Sequence, residues 1–430
     1  MGRRASARRD EVTFDFLPVI QPNDGRGGEH DHDHGEHAHE HAHDAGHELA
    51  HAPASMNVRT NVLPLASMHL KGGWHPAPVH SFTVPLWFAG VYDEQEAARE
   101  RAVILDRSHL GRFYVTGDRA AEVLARVLAT DARRIAPGTI ARAVACRDDG
   151  TILDIPTLCH IDAGRWLVIT GPRAQVRLRE DIEAAVRPDD DVLVRDRLTE
   201  SVLLSVQGPE SARLLEGVLG PTIPGAVPPG EAHEILLGGY RALVAHHGEI
   251  GEDGYLLLVS PEVGEHIWEQ ALAAQIEPAG LAVYDVMRLE AGLIEAPTET
   301  PAPVTPFHVG LDALVDFEGI AEDGTTTPRA FPGAAALRAL RDAGPVERVL
   351  RGLRLEGPRL AKRGSRVTAG GVDVGACVNA AYSSALGTGI AVAYLPPHLD
   401  RVEVDTDGVP QPALVVPLPF IAGPRGASAK

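Results

Sequence analysis

The stretch Ala245-His-His-Gly-Glu-Ile-Gly-Glu-Asp-Gly-Tyr255 holds three glycines and three acids in eleven residues. Apolar runs flank it, Ile235-Leu-Leu237 and Leu243-Val244 before, Leu256-Leu-Leu-Val259 after. This is the pattern of two strands joined by a tight, polar, glycine-rich corner. Such a corner lets backbone amides come close to a ligand, because glycine has no Cβ in the way.

Outward from the corner, Val202-Leu-Leu-Ser-Val-Gln-Gly-Pro-Glu210 reads as a strand that runs into a helix over Glu210–Leu219. Helices are expected over Pro261–Ala274 and Gly280–Gly292, the latter capped by its glycine. The preceding part of the chain repeats this order. A helix over Asp93–Arg101 carries acids in its first turn and arginines later, as the helix dipole prefers. Ala102–Gly111 is a strand ending in a polar turn, and Phe113–Thr116 is a short strand. Arg119–Leu128 has apolar residues at helical spacing. Ala141–Cys146 and Thr151–Leu158 pair around Arg147-Asp-Asp-Gly150, a hairpin signal. A strand over Trp166–Thr170 and a helix over Arg173–Val186 close this first half. Strand–helix–strand–strand–helix therefore occurs twice, which implies two related α+β lobes.

Past about residue 345 the texture changes to short strands parted by Gly and Pro: Val349–Leu355, Ser365–Val367, Val372–Gly375, Gly389–Leu395 and Ala413–Val416. That is the signature of a small antiparallel barrel. With no long polar linker before Val349, the barrel is expected to pack on the lobes.

The ends differ from this body. Residues 1–55 are expected to be a disordered tail, because Glu29–His51 holds nine histidines (30, 32, 34, 37, 39, 41, 43, 47 and 51) among seven acids, with no Lys or Arg. Neutral imidazoles at this density can collect divalent metal ions weakly, but such a tail has no fixed geometry for catalysis. Residues 424–430 form a second disordered tail. The chain of 430 residues is expected to divide into 56–345, the two lobes, and 346–423, the barrel.

Composition excludes several functions. The net charge of −19 argues against nonspecific nucleic-acid binding. Three cysteines, Cys146, Cys159 and Cys377, form no CxxC pair, so neither a disulfide framework nor a cysteine zinc site is indicated. No run reaches the length of a membrane span, and Met1–Arg9 is not followed by an apolar segment. A cytoplasmic protein is expected. No G-x-G-x-x-G follows a strand, which speaks against a dinucleotide-binding lobe.

Six collinear segments carry a resemblance: Leu105-Asp-Arg-Ser-His-Leu-Gly111, Gly150-Thr-Ile-Leu-Asp154, Val206-Gln-Gly-Pro209, Gly251-Glu-Asp-Gly-Tyr255, Gly280-Leu…Asp285…Arg288-Leu-Glu-Ala-Gly292 and Leu418-Pro-Phe420. Over roughly residues 80–421 the chain resembles the aminomethyltransferase (glycine-cleavage T-protein) family of folate-binding one-carbon transferases. The resemblance implies a three-domain cloverleaf, two α+β lobes plus a C-terminal antiparallel β-barrel, with folate in the central opening. It implies aminomethyl or methyl transfer, tetrahydrofolate as acceptor, and a small-molecule one-carbon donor or a lipoyl-carrier protein as partner. The alternatives within reach of the same scaffold are a tetrahydrofolate-dependent demethylase of a small methylated substrate and a non-catalytic accessory protein that binds a folate-like ligand.

The family's catalytic aspartate falls on Asp154, whose carboxylate would orient an amine of tetrahydrofolate and accept its proton, general-base chemistry. Strand alternation puts Asp154 on the face of Ile152, with Leu153 and Ile155 opposite. A carboxylate among apolar residues needs a donor. The ligand-contact positions implied are Arg142, Thr170, His246, Glu252, Tyr255, Tyr284 and Arg288. Glu252 and Asp253 also suit the turn itself, and Arg288 has helical spacing to Asp285 for an ion pair. The pattern departs from the family at several of these. Arg142 stands for Tyr, Thr170 for Asn, His246 and Glu249 for the corner's Arg and Tyr, and Tyr284 for Arg. Leu256 stands for the Glu that holds the pterin, a bidentate contact that Leu cannot replace.

Overall fold

The computed structural model describes residues 61–221, 223–301, 303–320 and 325–423. The expectations for the two tails, residues 1–55 and 424–430, lie outside the described residues.

The first lobe is built on a five-stranded antiparallel sheet in the order Leu193–Asp196, Gly111–Thr116, Arg165–Thr170, Thr157–Asp162, Thr139–Arg142. One face is covered by the helices Ala120–Val127 and Gln175–Ala185. Their apolar residues recur at helical spacing, so Val123, Leu124 and Val127, with Leu178 and Ile182, reach one core around Trp166. Each fully buried leucine here contributes about 1.5–3 kcal/mol. The expected hairpin around Arg147–Gly150 forms as Ala145–Cys146 against Ile152–Asp154. Its alternation buries Ile152 and Asp154 and leaves Leu153 half-buried.

The second lobe has a six-stranded sheet: Ala232–Leu237, Tyr240–His246, Gly254–Val259, Val202–Gln207, Val103–Asp106, Glu277–Pro278. Helices Ser211–Leu219 and Pro261–Ala273 cover its outer face. Here the simple repeat fails. Val103–Asp106 precedes the first lobe in the chain, yet it pairs antiparallel with Val202–Gln207, Asp106 opposite Leu204. All four of its residues are buried, so a completed second sheet outweighs chain order. The bare faces of the two sheets then meet. Ile140, Cys159, Leu167 and Ile169 of the first pack against Leu203, Leu243, Leu256 and Leu258 of the second.

Two further helices, Val91–Glu100 and Leu281–Glu290, are joined by one buried acid. Glu94 accepts the amides of Phe88 (2.5 Å), Ala89 (3.0 Å) and Gly280 (2.9 Å), so it caps one helix and holds the start of the other. Gly280 allows this approach, since a Cβ there would lie 2.1 Å from the Leu86 carbonyl oxygen. A helix over Ala334–Ala343, which the periodicity reading does not include, lays Leu337 under the Arg147–Gly150 turn.

The C-terminal part is a closed antiparallel barrel: Val349–Leu355, Thr388–Leu395, Val372–Ser383, Arg366–Ala369, Arg401–Thr406, Val409–Val416, with the last strand pairing the first. Alternate residues such as Leu353, Val367, Ala391, Val404 and Val415 fill its interior. The expected cloverleaf of two α+β lobes and an antiparallel barrel is thus present. Among the described residues, no helix is long and apolar enough to cross a membrane.

Candidate active site

A cavity of about 1120 Å³ lies where the two lobes, the helix Leu281–Glu290 and the barrel strand Val372–Ser383 meet. Asp154, Arg142, Thr170, His246, Glu252 and Tyr284 all line it, although they come from five separate parts of the chain. Tyr255 and Arg288 lie behind the wall instead.

Asp154 ends a short strand and is almost completely buried. The Thr170 hydroxyl and the Gly171 amide (3.1 Å) both donate to its Oδ2. Burial nevertheless dominates, and it pushes the carboxyl up to about 6 against these two donors. Gly171 lets this amide come close, since a Cβ there would crowd Asp154 Oδ1 at 3.1 Å.

Tyr284 faces the cavity from its helix. Its hydroxyl donates to Glu295 Oε1 at 2.5 Å, and the Arg107 guanidinium lies 3.6 Å above its ring. Arg107 also reaches Glu295 (3.3 Å) and approaches Glu249 (3.8 Å). Burial alone would raise Glu295, but the Arg288 and Arg107 cations outweigh it and draw its carboxyl down to about 2. Arg142 donates to the Ile294 carbonyl oxygen, which ties the segment after the helix to the first lobe.

The corner is held by its own side chains. The His246 ring stacks on Tyr255 with centroids 4.3 Å apart. Its two nitrogens meet Asp253 (2.6 Å) and the Val227 carbonyl oxygen (2.9 Å). Tyr255 donates to the Pro224 carbonyl oxygen (3.3 Å) and belongs to the second lobe's core. Glu252 pairs with Arg99, which also pairs with Glu290, so the corner is fastened to two helices. Gln207 braces it from below, donating to the His247 carbonyl oxygen (3.1 Å) and accepting the Glu249 amide (2.8 Å). Gly248 leaves no room for a side chain, since its Cβ would lie 2.1 Å from the Glu252 carbonyl oxygen.

Arg288 has no exposed surface. It donates to Glu299 (2.8 Å) and the Leu293 carbonyl oxygen (3.1 Å), and it pairs with Asp285. Glu299 in turn accepts from Asn379 of the barrel (2.9 Å). The helical Asp285–Arg288 pairing is present, and its place is the joint between the lobes and the barrel.

Among the cavity-lining residues that the sequence reading did not place in the site are Arg107, His109, His247 and Glu295. Glu249, noted there only as a departure, lines it too. Arg107 and His109 stand in the polar turn after an apolar strand, a signal that could have drawn them in. Burial is the main cause that lowers His109 to about 3 and His247 to about 4, so both are neutral imidazoles. Burial also raises the Glu249 carboxyl, with Arg107 opposing it. Among the described residues, no three His, Cys, Asp or Glu side chains are grouped to hold a metal ion.

The architecture and sequence have known counterparts. Residues 65–319 match the GCVT N-terminal domain family, and residues 348–421 match the glycine cleavage T-protein C-terminal barrel domain. An aminomethyltransferase of Streptomyces coelicolor is 37% identical over 352 residues, covering 78% of this chain and 91% of its own length. One from Synechococcus sp. is 31% identical over 379 residues, covering 84% of this chain and 98% of its own. The solved glycine cleavage system aminomethyltransferase T of Bartonella henselae superposes with a TM-score of 0.74 at 23% identity, over 84% of this chain and 98% of that one.

Proposed function

Because the chain belongs to the glycine-cleavage T-protein family, we propose that its central cavity is the active site of a folate-dependent aminomethyltransferase, with Asp154 as general base. The observation that carries this reading is Asp154 itself: a buried carboxyl with its ordinary value raised to about 6, on the wall of the central cavity, oriented by two donors on one oxygen. A base poised below neutral pH is ionised at pH 7–8 and still basic enough to take a proton.

Tetrahydrofolate, the acceptor that family membership implies, supplies the amine nitrogens between which the one-carbon unit is carried. Leu256, at the position of the family's pterin-holding acid, is 4% exposed and packs between the two sheets, so it offers no polar contact. Glu249 supplies a carboxylate on the same cavity, with an oxygen that has no partner. The donor set therefore still accommodates a heterocycle with N–H groups, by a different residue. Asp154 would accept the proton, Thr170 and Gly171 would hold its carboxylate in line, and Arg142 and Tyr284 would shape the wall around the reacting amine. The donor is an aminomethyl group presented by a lipoyl-bearing carrier protein, as the family's glycine-cleavage role implies.

The test is Asp154→Asn. Tetrahydrofolate binding should persist, while turnover falls by roughly 10²–10⁴, the usual scale for a lost general base. Failure of the wild-type protein to bind any folate at millimolar concentration would overturn the reading.

A further inference from the structure

Eleven buried side-chain polar atoms among the described residues have no hydrogen-bond partner. Four of them, Arg107 Nε, His109 Nδ1, His247 Nδ1 and Glu249 Oε2, belong to residues that line the central cavity. The other seven belong to residues that do not. Buried polar groups are almost always paired, so four unpaired ones on residues that line one cavity point to a polar guest there.

The chemistry of these atoms defines the guest. An ionised carboxylate only accepts, and it can take two N–H donors side by side. An arginine Nε–H only donates. A neutral imidazole nitrogen does one or the other by tautomer. An acceptor beside a donor is complementary to the edge of a fused aminopyrimidinone ring, where exocyclic amine and ring N–H adjoin a carbonyl oxygen. A simple anion would meet the Glu249 carboxylate with like charge. An aliphatic guest would leave all four atoms unpaired.

We propose that Glu249, with Arg107 beside it, is the specificity-determining pair that reads the amine and carbonyl edge of the folate ring in this protein. The proposal rests on the folate reading above and deepens it by assigning ring recognition to a corner residue instead of position 256.

The geometry around Glu249 is that of a built site. Its backbone amide is fixed to Gln207 at 2.8 Å. Gln207 is itself completely buried and held by the Ser205 hydroxyl (3.0 Å) and the His247 carbonyl oxygen (3.1 Å), in space that Gly254 leaves open by having no Cβ. The Ser205 hydroxyl and the Arg107 guanidinium stand beside the Glu249 carboxyl, with Arg107 Nε 3.8 Å from Oε1. Arg107 is in turn held over Tyr284 and against Glu295. The side chains are thus set before any ligand arrives, which lowers the ordering cost of binding. Glu249 is also only five residues from Gly254, so the corner that the sequence marks for close approach carries the reading group itself.

The experiment is calorimetric titration of the full chain with two probes, 5-formyltetrahydrofolate and its analogue lacking the 2-amino group. Wild type should prefer the amino form by about tenfold or more, the scale for one charge-assisted hydrogen bond. Glu249→Gln should weaken 5-formyltetrahydrofolate by roughly 10–100-fold and abolish the preference, because the amide cannot accept two donors. The melting temperature without ligand should not fall, since a buried carboxyl is being neutralised.

Equal binding of the two probes by wild type overturns the proposal whatever the variant does. So does a Glu249→Gln protein that keeps both affinity and preference, because cavity water then serves the unpaired atoms. Wild type that binds neither probe overturns the folate reading itself, and with it the proposal.

Discussion

Asp154 and Glu295 are two acids on one cavity, and their surroundings drive them in opposite directions. Asp154 has a hydroxyl and an amide for partners, both neutral, and burial pushes it up to about 6. Glu295 has the Arg288 and Arg107 cations and the Tyr284 hydroxyl, and it is drawn down to about 2. Its side chain keeps 38% of its surface open and lines the cavity, so water there tempers the effect. Neutral donors orient a carboxylate without removing its basicity, whereas full charges remove it. The contrast separates a base from a brace, as in other sites where paired acids are pushed apart.

The largest expected effect comes from taking away the brace. Arg288→Met should destabilise the protein by about 3–5 kcal/mol, because Glu299 and Asp285 lose their buried partner and Glu295 one of its two cations. Denaturant unfolding measures this. A change below about 1 kcal/mol would show that the network is a surface-like ion pair. Wild-type stability on the Glu295 side should also be pH-dependent. A carboxyl lowered in the fold contributes above its unfolded value, 4.5, and that contribution should fade as pH falls toward about 2.

A medium effect, of opposite sign, is expected at the base. Asp154 is raised in the fold, so its stability contribution is complete below its unfolded value of 3.8 and is lost as pH rises through about 6. Asp154→Asn removes that loss and should be more stable than wild type at pH 8 by about 1–3 kcal/mol. The gap should close toward pH 4. An equal gap at both pH values would mean that packing, not ionisation, sets it.

The smallest effect is the finest probe of the comparison. Thr170→Val deletes one neutral donor to the Asp154 carboxylate, so the carboxyl should rise further. The pH of half-maximal turnover should move up by roughly 0.7 of a unit, the equivalent of one net hydrogen bond of about 1 kcal/mol. A loss of turnover at all pH values without that shift would assign Thr170 to wall shape alone.

Much of this was legible in the chain. The helix over Pro261–Ala274 ends one residue earlier, at Ala273, and the one over Glu210–Leu219 begins one residue later, at Ser211, because helical spacing and local caps act over a few residues. Five of the six barrel strands follow from alternation and the glycines between them, whereas Arg401–Thr406, polar on its outer face, is not among the strands expected. Asp154, the corner and the helix after Gly280 meet in one cavity, as the collinear resemblance implied.

Strand pairing was not legible to the same degree. Val103–Asp106 looks like the opening of the first lobe, yet it completes the second lobe's sheet, because pairing is decided by which buried edge is open and not by chain order. Nor could the sequence alone tell base from brace. The partners that set Glu295 include Arg107, 188 residues away, and those that set Asp154 are fixed only when the strand ending at Thr170 lies beside it. Periodicity, turns and family motifs are local or ordered along the chain, so the sequence determined the elements and the scaffold. Desolvation and Coulomb interactions depend on distance in space, so only the tertiary structure decided which acid stays basic, which is neutralised by arginine, and which lines the cavity with an oxygen that no protein group pairs.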